Sequence, residues 1–161
     1  MFKIETWEDN KILRTKSEKI KKSDFKKYEK LAWEMVKYIK NPKNWWVWLA
    51  APQIWENIRL IVVSLLRDWE DENYPTIAMF NPEILDVSKD MASTEEWCLS
   101  LPDVREEVYR PKRVKVKFFN EKAKEQILIL DYPSSAIVQH EIDHLDWILF
   151  TDRAKKQKRL F

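Results

Sequence analysis

The sequence predicts an α+β fold, with short, mostly antiparallel strands packed around a central helix that carries metal ligands. Three observations predict it. Phe25, Tyr28, Leu31, Ala32, Met35, Val36 and Ile39 recur at three- and four-residue steps, the period of an amphipathic helix. Residues 113–119, RVKVKFF, alternate charged and apolar side chains, the period of a half-buried strand. A second helix is predicted over 135–147, and it holds both histidines of the chain, His140 and His144.

The elements follow in order. Residues 1–22 are polar and mixed, with one apolar patch at Ile12 and Leu13. The first helix is expected to open on Ser23 or Asp24 as N-cap and to stop before Pro42, which cannot continue it. A loop then crowds Trp45, Trp46 and Trp48 ahead of the apolar stretch to Trp55. Ile58 to Leu66 is β-rich and reads as a buried strand. Residues 67–75 form an acidic turn ending at Pro75, followed by short strands near 76–80 and 83–88. Residues 126–130, QILIL, add a strand after 113–119. Ser134 or Ser135 is the expected cap of the second helix, and the tail DRAKKQKRLF is basic and expected to be helical. With no repeat, low-complexity stretch or linker, residues 1–161 are expected to form one domain with a basic tail at 152–161.

Composition narrows the function. A chain of 161 residues can bury a sizeable core, and 45% hydrophobic with 35% charged residues excludes general disorder. Lys and Arg total 29 against 27 Asp and Glu, so a net charge of +2 gives no reason to expect DNA or RNA as the main partner. A single Cys excludes a disulfide framework. No apolar run approaches the ~18 residues that span a bilayer, and the charged N-terminus lacks a signal-peptide core, so a cytoplasmic location is expected.

One feature of the composition is abnormal. The chain has no Gly and nine Trp, where average usage would give roughly eleven and two. Trp7 in TWEDN, Trp55 in IWEN and Trp69 in RDWEDEN sit in polar, turn-like contexts that suit glycine. The expectation is that most of these tryptophans stand where the working protein has glycine. The codon UGA, read as Gly in some lineages and as Trp in other codes, would supply the cause.

The strongest chemical signal is His140-Glu141-Ile142-Asp143-His144, an H-E-x-x-H pattern. On a helix, positions i and i+4 share one face, so both imidazoles can reach one metal ion. The intervening Glu141 is placed to handle the proton of a metal-activated water. A catalytic site of this kind needs a third ligand and an open fourth position. Cys98, in EEWCLSLP, is either a small buried hydrophobe or that third ligand.

Three segments together resemble the peptide deformylases. VWLAAPQIW at 47–55 matches a family pattern G-h-G-h-A-A-P-Q, where h is apolar; EWCLS at 96–100 matches E-G-C-h-S; and QHEIDHLDWILF at 139–150 matches Q-H-E-x-D-H-L-x-G-x-h-F. The departures are nearly all of one kind: Trp46, Trp48, Trp97 and Trp147 occupy family glycine positions.

The resemblance implies a set of roles. Cys98, His140 and His144 would hold one divalent ion, Fe(II) by the family's habit, with Zn, Ni or Co able to substitute. Glu141 would act as general base and then as acid to the leaving amine. The substrate would be the N-formyl group of a nascent peptide beginning with formyl-methionine. The side-chain amide of Gln53 and the backbone N–H of Leu99 would stabilise the oxyanion. Val47, Ala136 and Ile137 would line a pocket for the methionine side chain, Arg105 would contact the peptide, and the segment 46–49, with Trp48, would pair with the substrate backbone. The basic residues of 153–159 would contact the ribosome, and a monomer is expected. Two other readings compete: an H-E-x-x-H zinc protease, which has no use for Cys98, and a binding module of the same fold silenced by its tryptophans.

Overall fold

A computed structural model describes residues 2–44, 47–72 and 74–159. Trp45 and Trp46 of the crowded loop, Asn73 of the acidic turn, and Leu160 and Phe161 of the tail lie outside the described residues. The first stretch, to Lys21, has no helix or strand; it is anchored by buried Leu13 and Ile20 and by a parallel bridge between Glu18 and Ile58. A short 3-10 turn, Lys22–Asp24, then leads into α1, Phe25–Ile39. Neither expected cap makes a side-chain bond to the helix, because the 3-10 turn starts it instead and the Ser23 hydroxyl bonds Asp24. The buried stripe is the one the period predicts: Phe25, Ala32, Met35 and Ile39.

The strands follow in chain order: β1, Trp48–Ala50; β2, Leu60–Ser64; β3, Thr76–Val87; β4, Met91–Cys98; β5, Leu101–Pro111; β6, Arg113–Phe119; and β7, Glu125–Asp131. Five of them form an antiparallel sheet in the order β1-β2-β3-β6-β7, while β4 and β5 form a separate antiparallel hairpin. The strand expected over 58–66 is shorter than its apolar run. The two strands expected at 76–80 and 83–88 are one strand, kinked at Asn81, where φ is 51° and the register with β6 shifts. The Asn81 side chain explains the kink, since it bonds both the N–H and the carbonyl of Ile20 at 2.8 and 2.7 Å. β4 and β5 were not anticipated, because their charged residues hide the alternation.

α2, Ser134–Leu145, is buried along its whole length, and α3, Phe150–Lys158, follows it. Ser134 and Ser135 do not cap α2; their hydroxyls donate to the carbonyls of Leu66 and Lys112 at 2.7 and 2.8 Å, tying the helix start to its neighbours. The large sheet lies between the two main helices. One face packs Ile61, Val63, Met79 and Val116 against Ile137, Val138, Ile142 and Leu145 of α2. The other packs Leu60, Val62 and Phe80 against α1. Phe150 and Ala154 of α3 cover Cys98, Leu101 and Val108 of the hairpin. Each such apolar side chain contributes about 1.5–3 kcal/mol by leaving water.

Among the described residues, six without a glycine's freedom adopt the left-handed conformation: Trp7, Trp55, Asn81, Asp103, Ala123 and Trp147. Asn and Asp tolerate it through local hydrogen bonding. For a bulky side chain it costs roughly 1–3 kcal/mol. Three of the six are tryptophans, at φ 82°, 71° and 53°, and all three rings are exposed.

Candidate metal centre

α2 is polar in its buried middle, an arrangement that costs folding free energy unless each polar group finds a partner. His140 and His144 sit one turn apart, with ring centroids 5.0 Å from each other. The end of β4 brings Cys98 to them, its Sγ 3.2 Å from His144 Nε2. One ligand atom from each of the three lies within 4.8 Å of the others, and all three side chains are buried. His140 Nδ1 is 2.8 Å from Glu96 Oε2, which leaves its Nε2 buried with no hydrogen-bond partner in the structure. A thiol and two imidazoles converging around an unsatisfied nitrogen are the donor set of a divalent transition metal, so the residues present fit a metal ion.

The electrostatics agree. Burial, helped by His140, holds the His144 pKa well below its ordinary value, so the ring is neutral as a ligand must be. Burial and the nearby Glu141 carboxylate push the Cys98 thiol up to about 12. A bound cation inverts that balance and holds the thiolate. Glu141 is fully buried, its Oε1 3.9 Å from His140 Nε2, and neither carboxyl oxygen has a hydrogen-bond partner. Burial pushes its pKa well up, with Arg110 opposing. A carboxyl group so held can accept and return a proton.

Gln53 comes from the 3-10 turn Ala51–Ile54 that follows β1. Its Oε1 accepts the Ala50 N–H at 2.8 Å, which fixes the amide and turns Nε2 toward Cys98 Sγ at 3.3 Å and the Ser100 hydroxyl at 3.1 Å. Leu99 sits in the tight turn between β4 and β5, directly after Cys98. Ala136 and Ile137 line a cavity of only about 30 Å³ beside His140, together with Trp48 and Trp97. Val47 does not reach that cavity; it packs on the core under α2, and its carbonyl accepts the Ser64 N–H at 2.7 Å. Arg105 is exposed at the rim, 3.3 Å from Glu95 and 5.9 Å from the Trp97 ring. A cavity of about 980 Å³ between α1 and strands β3, β6 and β7 holds none of these residues.

The structure adds residues that the sequence reading passed over. Glu96, which opens the EWCLS segment and had no role assigned from sequence, is buried and bonds both His140 and the buried Arg110. Burial would raise its pKa, but those two partners hold it at about 2. Arg110 Nη1 also reaches Asp143 Oδ2 at 2.8 Å, and Arg153 of α3 grips the same carboxylate at 2.7 and 2.5 Å. The signal was present: Thr94, Glu96 and Cys98 alternate along β4, so a buried Cys98 implies a buried Glu96. Above the site, Trp48 lies 5.8 Å from Trp97, 6.4 Å from Trp69 and 6.4 Å from His140, between ring centroids.

The chain is similar to known proteins along almost its whole length. The family model for polypeptide deformylase matches residues 1–160. A peptide deformylase of Chlorobium phaeobacteroides (strain BS1) is 39% identical over 156 residues, covering 97% of this chain and 82% of its own. One of Synechocystis sp. (strain ATCC 27184 / PCC 6803 / Kazusa) is 35% identical over 89% of this chain and 74% of its own. Among solved structures, a probable peptide deformylase from synechococcus phage S-SSM7 superposes with a TM-score of 0.81 at 38% identity, covering 95% of this chain and 99% of that one. The actinonin-bound class I type b peptide deformylase from Acinetobacter baumannii gives 0.82 at 30% identity, covering 95% and 97%. From the three linked motifs, the site they build and the match along almost the whole chain, this protein belongs to the polypeptide deformylase family.

Proposed function

We propose that Cys98, His140 and His144 hold the metal ion of this deformylase and that Glu141, Gln53 and Leu99 carry its chemistry. The reaction is removal of the N-formyl group from the formyl-methionine of nascent peptides. The observation that carries the residue assignment is the convergence of three buried ligand atoms beside a buried, unpartnered Glu141. Held by Cys98, His140 and His144, a divalent ion would supply Lewis acidity to the formyl group and to the attacking water. Fe(II) is the ion we assign, with Zn, Ni or Co as substitutes.

Glu141 takes a proton from the attacking water on a carboxyl oxygen and returns it to the departing amine nitrogen, releasing formate and a free α-amine. The Nε2 amide of Gln53, held by Ala50, and the Leu99 N–H donate to the oxygen on which charge develops. Glu96 keeps His140 in the tautomer that leaves Nε2 free for the ion. β1 is an edge strand, and its open side offers backbone groups to an extended peptide over 47–49, with Trp48 at its centre. Ala136 and Ile137 are assigned to the methionine side chain and Arg105 to the following residues, while Val47, packed on the core, supports β1 from below.

No helix among the described residues is long and apolar enough to cross a membrane. We assign the protein to the cytoplasm, as a monomer and a single domain over 1–161. The basic face of α3 would add a contact to the ribosome. Because Arg153 and Ala154 are docked on the body, this contact is tested by Lys156→Glu with Arg159→Glu rather than by truncation. Salt-sensitive co-sedimentation with ribosomes is expected to be lost in the double variant.

The test of the site is formate release from a formyl-methionyl peptide, without oxygen, after loading Fe(II). Cys98→Ala is expected to bind no metal and to release no formate. Retention of both would favour an H-E-x-x-H protease.

A further inference from the structure

We infer that the polypeptide made in the cell carries glycine at the positions written as tryptophan, through one codon read as glycine. The chain has nine Trp and no Gly, and seven of the nine, all but 45 and 46, are among the described residues. Trp7, Trp55 and Trp147 hold φ of 82°, 71° and 53°, in the region that a Cβ disfavours and glycine enters freely. The fold needs that backbone shape at each place. The Trp7 N–H donates to Ser100 beside the site at 2.8 Å. Trp55 closes the turn that presents Gln53, its N–H directed to the Ala51 and Pro52 carbonyls. Trp147 follows Asp146, the C-terminal cap residue of α2, at the position where a left-handed glycine ends a helix.

In return the exposed indoles gain only surface contacts, such as the Trp69 Nε1 bond to the Tyr132 hydroxyl at 2.9 Å and Lys37 Nζ 3.3 Å from the Trp33 ring centroid. Trp7, Trp33 and Trp55 are 58, 59 and 63% exposed, and Trp69 and Trp147 are exposed as well. The two half-buried rings obstruct the site, for Trp48 and Trp97 pack on each other over His140 and leave about 30 Å³ beside the ligands. Independent substitutions would not give strain at three turns, exposure at five positions and obstruction at the catalytic cavity by one residue type, in a chain that lacks glycine altogether. A single reassigned codon does. Glycine at 48 and 97 opens the cavity along β1 and lets a peptide backbone approach that edge.

The decisive experiment is mass spectrometry of the protein isolated from its source organism, with fragment sequencing across residues 7, 48, 55, 97 and 147. Glycine at every Trp position is expected. Tryptophan at all nine overturns the inference, and a mixture overturns the single-codon cause. The mass does not depend on activity, so it fails or holds separately from the deformylase reading. A recombinant pair supplies the functional arm, the chain as written against one with all nine changed Trp→Gly. The glycine chain is expected to melt several degrees higher and to release formate about 100-fold faster. Equal melting and equal turnover count against the inference. No formate from either chain, with metal bound in both, counts against the deformylase reading instead.

A different set of contacts assigns Arg153 a positioning role. His140, Glu96, Arg110, Asp143 and Arg153 form one unbroken chain of ion pairs and hydrogen bonds from a metal ligand to α3. Two buried carboxylates share the buried Arg110, and Arg153 supplies the second cation, so that Asp143 does not draw Arg110 away from Glu96. This role rests on the metal assignment above. Chelator competition tests it: Arg153→Gln is expected to bind the ion about 10-fold more weakly, well below its melting temperature, with Arg153→Lys recovering most of the loss. An affinity for Arg153→Gln unchanged from the parent overturns the role, whereas a parent chain that binds no ion overturns the metal assignment itself.

Discussion

A carboxyl group with both oxygens buried and unpartnered, like that of Glu141, favours its protonated form until a cation or a water reaches it. That suits the proton-carrying role proposed for it and sets the sharpest expectation for a single residue. Glu141→Gln should lower kcat about 10²–10⁴-fold while metal content, measured by elemental analysis, stays at one ion per chain. Gln53 offers a contrasting case, because its amide is oriented by the backbone of Ala50 and donates toward the ligand cluster. Gln53→Leu should lower kcat about 10²–10³-fold with a smaller change in KM, read from steady-state formate release. An equal rise in KM with kcat intact would place the amide in substrate binding instead.

At the scale of elements, the first turn of α3 is fastened to the N-terminal stretch. Arg14, in the irregular N-terminal stretch, bonds Asp152 Oδ2 at 2.5 Å, and the same oxygen accepts the Leu149 N–H at 2.9 Å. Burial would raise the Asp152 pKa, but these bonds hold it below its ordinary value. The native value is therefore lower than the unfolded one, so the stabilisation is present at neutral pH and fades as pH falls through the acid range. Asp152→Asn should cost about 1 kcal/mol in urea melts at pH 7, and the gap from the parent should close below the usual aspartate value of about 3.9.

Helices and strands with a strong period were legible from the sequence: α1 through its Phe25–Ile39 stripe, β6 through RVKVKFF, and α2 through the histidine motif. The β4–β5 hairpin was not, because Glu95, Glu96, Arg105, Glu106, Glu107 and Arg110 read alike as surface charges. Only the fold separates them, burying Glu96 and Arg110 against each other and leaving Glu95 and Glu107 in water. Cys98, whose residue type alone left it open between core and ligand and which the family resemblance put forward as a ligand, is carried by β4 to the histidines of α2, where we propose the metal site.

For the whole molecule, the sheet lies between two helices of opposite character, α1 with one apolar stripe and α2 buried throughout. Amides of α2 and of β2 should exchange with deuterium only through global unfolding, while the irregular stretch before α1 exchanges faster through local opening. A structural unit built around buried ligands also links its stability to the ion. Removing the metal with a chelator should lower the melting temperature by an amount that grows with the logarithm of the ratio of free ion to dissociation constant, and restoring it should reverse the loss.

Among the described residues the sheet ends at β1 with one side unpaired, and Trp48 of that strand lies 6.4 Å from His140, one of the proposed metal ligands, between ring centroids. A sheet edge that waits for a peptide is equally open to any other extended chain, including a partly unfolded copy of itself. The strand runs only from Trp48 to Ala50, and the chain then turns sharply into the 3-10 segment. So short an edge gives a visiting strand few backbone hydrogen bonds. It suits a peptide end that the catalytic pocket also grips, but it is a poor template for aggregation.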